Sequence, residues 1–100
     1  MFRRAILAAA LGLTSGFTTN DVSDHWAVLI AGSSGYGNYR HQADVCHAYN
    51  VLTSKGMNPD QIITLAVDDI ANSPENVFPG QLFNHPTPEG TPGVDVYAKC

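Results

Sequence analysis

The sequence predicts an α/β fold, and two observations carry this prediction. Residues 26–31 and 61–67 are apolar runs with the length of strands, and residues 40–55 between them repeat apolar side chains at helical spacing. A strand, a helix and a strand joined by short links form a βαβ unit, in which the strands are parallel. The chain has 100 residues, of which 44% are hydrophobic and 14% charged. This composition fits one domain at most and excludes a disordered chain.

The two predicted strands point to the same kind of sheet. Residues 26–31 are continuously apolar, which is typical of a strand covered on both faces in a parallel sheet. Trp26, at the start of this run, is therefore predicted to lie in the core. Because this chain offers only one helix, the second face, with Val28, Ile30, Ile63 and Leu65, is expected to be left open here. Residues 61–67 are rich in β-branched side chains, which favour strands. Asp68 and Asp69 end this second strand, either as an acidic site or, more commonly, as a helix cap or a structural hydrogen bond.

The helix between the strands is predicted from its face and from its ends. Val45, Tyr49 and Leu52 recur at i, i+4 and i+7 and make one apolar stripe. Asn38 is a residue type that caps helix N-termini. Gly56 is the preferred residue type just past a helix C-terminus.

Residues 25–72 therefore hold the predicted βαβ unit, and a long irregular loop is expected at residues 73–100. Five prolines and three glycines punctuate this second part. At most a short extended piece is expected at residues 81–83, and the loop is expected to add almost no core. Loops this long are uncommon in compact domains, which suggests a binding loop or a segment whose partners lie elsewhere.

The first residues have the pattern of a secretory signal peptide. Arg3 and Arg4 precede the apolar run of residues 5–13, and small residues follow it. The run is too short to span a bilayer, which takes about 20 apolar residues. Residues 1–16 are therefore interpreted as a signal peptide and residues 17–24 as a flexible lead, with a buried N-terminal helix as the alternative.

Charge and cysteine content limit the partners. After residue 16 the chain has three Lys or Arg and nine Asp or Glu, so its formal net charge there is 3 − 9 = −6. Such a chain is not expected to bind nucleic acid or an anionic membrane surface. Cys46 and Cys100 are the only cysteines. A secreted chain can pair them, whereas a cysteine inside a helix is more often a buried and inert thiol.

Asn38, Arg40 and His41 are the candidate site residues. They follow the glycine-rich turn of residues 32–37, at the carboxyl end of the first strand, where open α/β sheets bind ligands. An amide, a fixed cation and a titratable base stand there within four residues. Each also has a plain structural interpretation: a helix cap for Asn38, an i, i+4 pair with Asp44 for Arg40, and an ordinary first-turn residue for His41.

Other chemistries fit the residues poorly. The glycines run Gly-x-x-Gly-x-Gly from Gly32 to Gly37, whereas the dinucleotide fingerprint is Gly-x-Gly-x-x-Gly. His41 and His47 are six residues apart, off the i, i+4 face that helical zinc motifs use, so neither a metal nor a cofactor is predicted. The residues alone do not assemble a complete hydrolytic constellation.

A family resemblance enters with residues 32–49, which read GSSGYGNYRHQADVCHAY. This run closely resembles the legumain family of asparaginyl cysteine endopeptidases. The resemblance continues in shorter pieces, at residues 61–63, 68–71, 79–80 and 95–97. The family fold is caspase-like, a mainly parallel sheet flanked by helices, and it agrees with the βαβ unit. The resemblance implies that residues 25–100 are an amino-terminal, partial peptidase domain of this kind.

The resemblance also implies roles for the candidate residues. Asn38 matches the asparagine that supports the catalytic His, while Arg40 and His41 match residues of the pocket that grips the substrate's Asn side chain. The family's Asp-His-Gly and Glu-Ala-Cys-Glu-Ser-Gly motifs, which carry the catalytic His and Cys, do not occur in this sequence. We therefore expect this chain alone to be inactive. The family implies peptide or protein substrates with Asn at the cleavage site, and a lysosomal, vacuolar or secreted location.

Two rival interpretations stay open. The catalytic subunit of the GPI-anchor transamidase shares an Asn-Tyr-Arg-His segment, although residues 42–44 and 46–49 favour the legumain family. The second rival belongs to another class: a truncated, non-catalytic product that binds Asn-containing peptides without cutting them.

Overall fold

The computed structural model of this chain describes residues 24–90 and 93–100. The signal peptide predicted for residues 1–16, and all but the last residue of the lead predicted for residues 17–24, lie outside this described part. The predicted α/β class is confirmed, since the described residues form two parallel strands with one helix between them.

The elements follow the predicted order, but both strands are shorter than the apolar runs that contain them. β1 spans Ala27–Ile30, α1 spans Tyr39–Ser54 and β2 spans Ile62–Leu65. A 3-10 turn at Tyr36–Asn38 leads into α1, and another at Pro59–Gln61 leads into β2. The helix agrees with its prediction to one residue at each end.

The strands pair in parallel, with Ala27 opposite Ile62 and Ile30 opposite Leu65. One further bond extends the ladder, because the Ala31 N–H donates to the Leu65 carbonyl at 2.8 Å. Beyond this bond β2 ends, and Asp68 adopts a φ of 57°. Short polar side chains such as Asp tolerate this left-handed conformation, which turns the chain away from the sheet.

The two ends of α1 differ in how well the sequence predicted them. Gly56, with a φ of 97°, donates its N–H to the Thr53 carbonyl, and the Met57 N–H donates to the Leu52 carbonyl. These two bonds form a Schellman motif, which confirms Gly56 as the residue that ends the helix. Asn38 occupies the predicted N-cap position, but its side chain makes no capping hydrogen bond.

The core lies on the side of α1 that faces the segment after β2. Its central cluster contains Cys46 from the helix and four residues of the later segment: Ile70, Ala71, Leu82 and Val96. Ile70 and Leu82 are fully buried. The expectation that the proline-rich segment adds almost no core is therefore wrong. Its chain is irregular, but its apolar side chains fill the space above the helix.

Side chains replace regular secondary structure in holding this segment together. The Asn76 amide donates to the carbonyls of Ala71 and Gln81, at 2.8 and 3.0 Å. Asp95 Oδ1 accepts from the N–H groups of Leu82 and Tyr97, at 3.0 and 2.9 Å. Asparagine and aspartate suit this task because their short side chains reach nearby backbone groups.

Two connections join the same segment to the helix. The Phe83 N–H donates to the Tyr39 hydroxyl at 2.8 Å, next to an isolated antiparallel bridge between Phe83 and Asp95. A disulfide joins Cys46 to Cys100 across 54 positions of sequence. Of the two alternatives for the cysteines, the pair is therefore the one that the structure contains.

One face of the two-stranded sheet has no layer against it within the described residues. We call it the open face, and it consists of six apolar residues: Trp26, Val28, Ile30, Ile63, Leu65 and Val67. Their side chains are between 45% and 66% exposed. The expectation that this chain leaves the second face of its strands open is therefore confirmed for the described residues, because α1 covers only the other face. The prediction of a core Trp26 is wrong for the same reason, since its side chain lies on the open face.

Candidate substrate-binding site

The carboxyl ends of β1 and β2 meet at one edge of the sheet, and the carboxylate of Asp69 connects the two segments that leave this edge. Its Oδ2 accepts a hydrogen bond from the Gly35 N–H at 2.7 Å. Its Oδ1 accepts another from the Gln42 side-chain amide, also at 2.7 Å. A single side chain after β2 therefore holds both the glycine-rich turn and the first turns of α1.

These contacts change the ionisation of Asp69. The hydrogen bond from the Gly35 N–H, helped by the one from Gln42, lowers the pKa of the Asp69 carboxyl, although partial desolvation opposes the change. Hydrogen bonds donated to a carboxylate favour its charged form. Of the two interpretations of the acidic pair, the structural hydrogen bond is confirmed for Asp69.

The glycine-rich turn depends on the backbone conformation of Gly35. Its φ is 85°, in the region that side chains with a Cβ rarely adopt. This conformation brings the chain into the 3-10 turn, where the Asn38 N–H donates to the Gly35 carbonyl at 2.9 Å. The turn thus places residue 38 directly before the helix.

Asn38 is fixed by the turn and not by the helix. Its side-chain amide donates to the Ser34 carbonyl at 2.9 Å. This bond holds the side chain back toward the glycine-rich turn and uses its donor there. The carbonyl oxygen of the same side chain is an acceptor that a histidine N–H could use, as the family role would require.

Arg40 and His41 have different surroundings although they are neighbours in sequence. Arg40 is exposed to solvent. His41 is half-buried and lines a cavity of about 320 Å³ between the helix and β1, together with Leu29 and Ala48. Within the described residues, no hydrogen bond or ion pair joins Asn38, Arg40 and His41 to one another. The sequence brings them together, and their roles stay predictions.

The alternative of a structural ion pair for Arg40 is not what the structure contains. Asp44 instead accepts a hydrogen bond from the Asn84 side-chain amide at 2.6 Å. The guanidinium group therefore stays available to a ligand. Its five N–H donors and fixed charge suit a side-chain carbonyl oxygen.

The sequence reasoning missed a second polar contact near the same edge. The Tyr97 hydroxyl donates to the Asp68 carboxylate at 2.9 Å. This hydrogen bond, then burial and the charge of Asp68, raise the pKa of Tyr97. Both residues line a cavity of about 250 Å³ that also contains Cys46 and Cys100. The sequence singled out Asp68 as part of an acidic pair, whereas only the family resemblance of residues 95–97 signalled Tyr97.

The described residues offer little chemistry of their own. They contain no unpaired cysteine, and no group of three or more His, Cys, Asp or Glu placed to hold a metal ion. In the same part of the chain, no helix has both the length and the apolar character that crossing a membrane requires.

Comparison with known proteins gives this arrangement a context. The model of the Peptidase C13 family matches residues 25–100. The chain is similar to the vacuolar-processing enzyme beta-isozyme of Arabidopsis thaliana, with 60% identity over 77 residues, which are 77% of this chain and 15% of that protein. It is similar to the hemoglobinase of Schistosoma mansoni, with 58% identity over 83 residues, 79% of this chain and 19% of that protein.

A mammalian relative shows the same pattern. The legumain of Mus musculus is 51% identical over 77 residues, which are 77% of this chain and 17% of that protein. The chain thus spans less than one fifth of the length of each of these relatives.

Proposed function

Because this chain belongs to the Peptidase C13 family, a family of cysteine peptidases with a caspase-like fold, we propose that it supplies part of the substrate-binding edge of an endopeptidase that cuts after Asn. The observation that supports this most is the carboxylate of Asp69, which holds both Gly35 and Gln42. It anchors the segment from Asn38 to His41 at the edge where open α/β sheets bind ligands.

The roles of the three residues follow from their chemistry. Arg40 donates to the carbonyl oxygen of the substrate's Asn side chain, and His41 forms the wall of the pocket beside β1. Asn38 orients the catalytic His through its side-chain oxygen. A pocket built to hydrogen-bond one side chain strongly rejects others that lack the matching group. In the whole enzyme, a Cys thiolate attacks the backbone carbonyl carbon of the Asn residue, and the C–N bond to the next residue breaks as a His donates a proton to the departing amine. Water then hydrolyses the acyl-enzyme, which releases the Asn carboxylate and restores the thiol.

The 100-residue chain by itself performs no proteolysis under this proposal. The two family motifs with the catalytic His and Cys do not occur in it. Cys46 is bonded to Cys100 and so provides no thiolate. Purified chain should release nothing above buffer from an Ala-Ala-Asn reporter peptide, and turnover that a thiol-blocking reagent abolishes would refute this.

The specificity role of Arg40 is tested in a longer protein that contains these residues together with both catalytic motifs. Arg40→Ala should lower the ratio of cleavage after Asn to cleavage after other residues about tenfold or more, since an unpaired polar substrate group costs roughly 1–3 kcal/mol. Lys55→Ala removes another exposed cation of the same helical segment and is the matched control. If the ratio survives Arg40→Ala while the unfolding temperature collapses, Arg40 is structural.

One observation favours a second candidate, a non-catalytic product that binds Asn-containing peptides. The polar edge is formed within this chain, while the catalytic motifs are absent from it. Fluorescence anisotropy with a labelled Asn peptide, alongside the reporter assay, separates binding from cutting. A membrane-anchoring helix in a longer product would instead favour the GPI-anchor transamidase.

The proposed location is the secretory pathway, with delivery to a lysosome or vacuole or release from the cell. The relative from Arabidopsis thaliana is named a vacuolar-processing enzyme, and the disulfide fits an oxidising compartment. Microscopy of the chain fused to a fluorescent protein at its carboxyl end tests this, since diffuse cytosolic signal would refute it.

A further inference from the structure

Two histidines from different parts of the chain lie side by side in the structure. His47 belongs to α1, and His85 belongs to the irregular segment that follows β2. Their ring centres are 5.3 Å apart, and the ring planes meet at an angle of 83°. The spacing of His41 and His47 argued against a helical zinc motif, but spacing within one helix carries no information about His85.

A hydrogen bond next to this pair keeps the two segments in register. The Asn84 side-chain amide donates to Asp44 Oδ1 at 2.6 Å. Asp44 stands three residues before His47, so the two side chains are neighbours on the helix surface. Asn84 directly precedes His85. The polar contact and the ring contact are therefore adjacent links between α1 and the irregular segment, and together they hold the two imidazoles close to each other.

The distance between the two rings is that of two imidazoles bound to one metal ion. A zinc–nitrogen bond of about 2.0–2.1 Å puts the centre of a ligating ring roughly 3.2 Å from the ion. Two such rings at the tetrahedral angle have centres about 5.2 Å apart, close to the observed 5.3 Å. Perpendicular ring planes are compatible with this arrangement, because each ring can rotate about its own metal–nitrogen bond.

We propose that His47 and His85 are the two protein ligands of a site for a divalent transition-metal ion such as Zn²⁺. Imidazole nitrogens suit zinc, copper and nickel, whereas Mg²⁺ and Ca²⁺ take oxygen ligands. Among the described residues, no third His, Cys, Asp or Glu is placed to complete the set, so water fills the remaining positions. The excess of Asp and Glu over Lys and Arg after residue 16 also favours a cation.

The ion would join α1 to the irregular segment at a second place besides the disulfide. Both ligands come together only in the folded chain, since the two histidines are distant in sequence. A ligand that binds only the folded chain stabilises it. Zinc should therefore raise the unfolding temperature of the chain, and the rise should increase with zinc concentration.

Calorimetric titration of the purified chain with zinc chloride, over about 1 µM to 1 mM in a buffer that does not chelate metals, measures the binding. One ion per chain is expected. His47→Gln and His85→Gln should each weaken binding at least about tenfold, since even changes behind a metal ligand commonly cost that much. His25→Gln, which removes a histidine elsewhere in the chain, is the matched control. Magnesium chloride should give no signal, and circular dichroism confirms that each variant retains the helix.

Nuclear magnetic resonance tests the same pair without any substitution. The imidazole signals of His47 and His85 should shift together as one ion per chain is added, while those of His25 and His41 stay in place. This measurement keeps the proposal testable even if one of the variants does not fold.

Three results would overturn the proposal. One is the absence of zinc binding across the titrated range. Another is binding that both His47→Gln and His85→Gln leave intact, which would indicate an adventitious ion at some other place. The third is a shift of only one of the two imidazole signals. None of these outcomes depends on peptidase activity, so the test is separate from that of the proposed function.

Discussion

Asp69 shows how one ionisable side chain can hold together the two segments at the carboxyl edge of the sheet. It contacts the turn through Gly35 and the helix through Gln42, which is only 3% exposed. Because the pKa of Asp69 is lowered in the folded chain, its charged form stabilises the fold above the pKa of the unfolded chain. This contribution is lost as the pH falls through the folded pKa, which lies below the ordinary value of 3.8.

Asp69→Asn should therefore destabilise the chain at neutral pH and have a smaller effect in acid. Below about pH 4 the unfolded chain takes up a proton at Asp69, so the difference between the free energies of unfolding begins to shrink there. It falls further as the pH passes through the lowered pKa of Asp69 in the folded chain. Urea unfolding followed by circular dichroism at pH 7, 5 and 3 measures this. Asp60→Asn, at an exposed position, is the control. A difference that stays constant at all three pH values would contradict the assigned contacts.

Individual residues were the hardest level to predict from sequence. Asn38 has the chemistry of a helix cap, but its side-chain amide donates to the Ser34 carbonyl of the glycine-rich turn at 2.9 Å. The side chain makes no hydrogen bond to the first turn of the helix. Trp26 has the hydrophobicity of a core residue, yet nothing in the described chain covers it. Both cases have one cause, because propensity describes what a residue type prefers, whereas the partners within reach decide which contacts it makes.

Among the elements, the end of α1 can be tested with two glycines that differ only in conformation. Gly56 has a φ of 97° and Gly37 has no left-handed conformation, while an added Cβ meets nothing within 4 Å at either position. Gly56→Ala should cost roughly 1–2 kcal/mol of stability, because the left-handed conformation is strained for residues with a Cβ. Gly37→Ala should cost nothing or stabilise slightly. Thermal unfolding of the two variants measures the difference, and equal losses would refute the strain argument.

The disulfide between α1 and the last residues should carry much of the stability of the later segment. It closes a loop with a sequence separation of 54, and loops of this kind contribute about 2–4 kcal/mol. A reducing agent should lower the urea midpoint of the chain, with no further effect on a Cys46→Ala, Cys100→Ala variant. If that variant is as stable as the oxidised chain, the bond does not constrain the fold.

Elements with regular spacing were predictable, and irregular ones were not. The helix and its C-terminal motif follow from apolar periodicity and from Gly56, and the strands follow from their β-branched and apolar composition. The burial of Leu82 and Val96 had no such signal. It depends on hydrogen bonds from Asn76 and to Asp95 that form only once distant parts of the chain meet. For the candidate site, the sequence predicted that Asn38, Arg40 and His41 follow β1 and the glycine-rich turn, but it did not predict the contacts of Asp69.

For the molecule as a whole, the helix and the strands differ in how completely other parts of the chain cover them. The helix shares a core with the later segment, whereas the strands are covered on one face only. Only nine apolar residues of the described chain are buried, three of them alanines, so the fold is expected to be marginal. Hydrogen exchange should show slow amides in α1 and faster ones in β1 and β2. Uniformly strong protection of the strand amides in a monomer, with a cooperative urea transition, would contradict this expectation.

The bond between Tyr39 and Phe83 has a consequence for how such a chain tolerates change over evolution. Tyr39 stands between Asn38 and Arg40, and its hydroxyl accepts the Phe83 N–H at 2.8 Å. The angle at which the first helical turn presents its polar groups is thus tied to the length of chain leading to Phe83. Insertions or deletions before that point are expected to change the orientation of residues 38–41 without replacing any of them. Changes in the amino-acid composition of the irregular segment should therefore be tolerated. Changes in its length should instead alter the orientation of the first turn of α1.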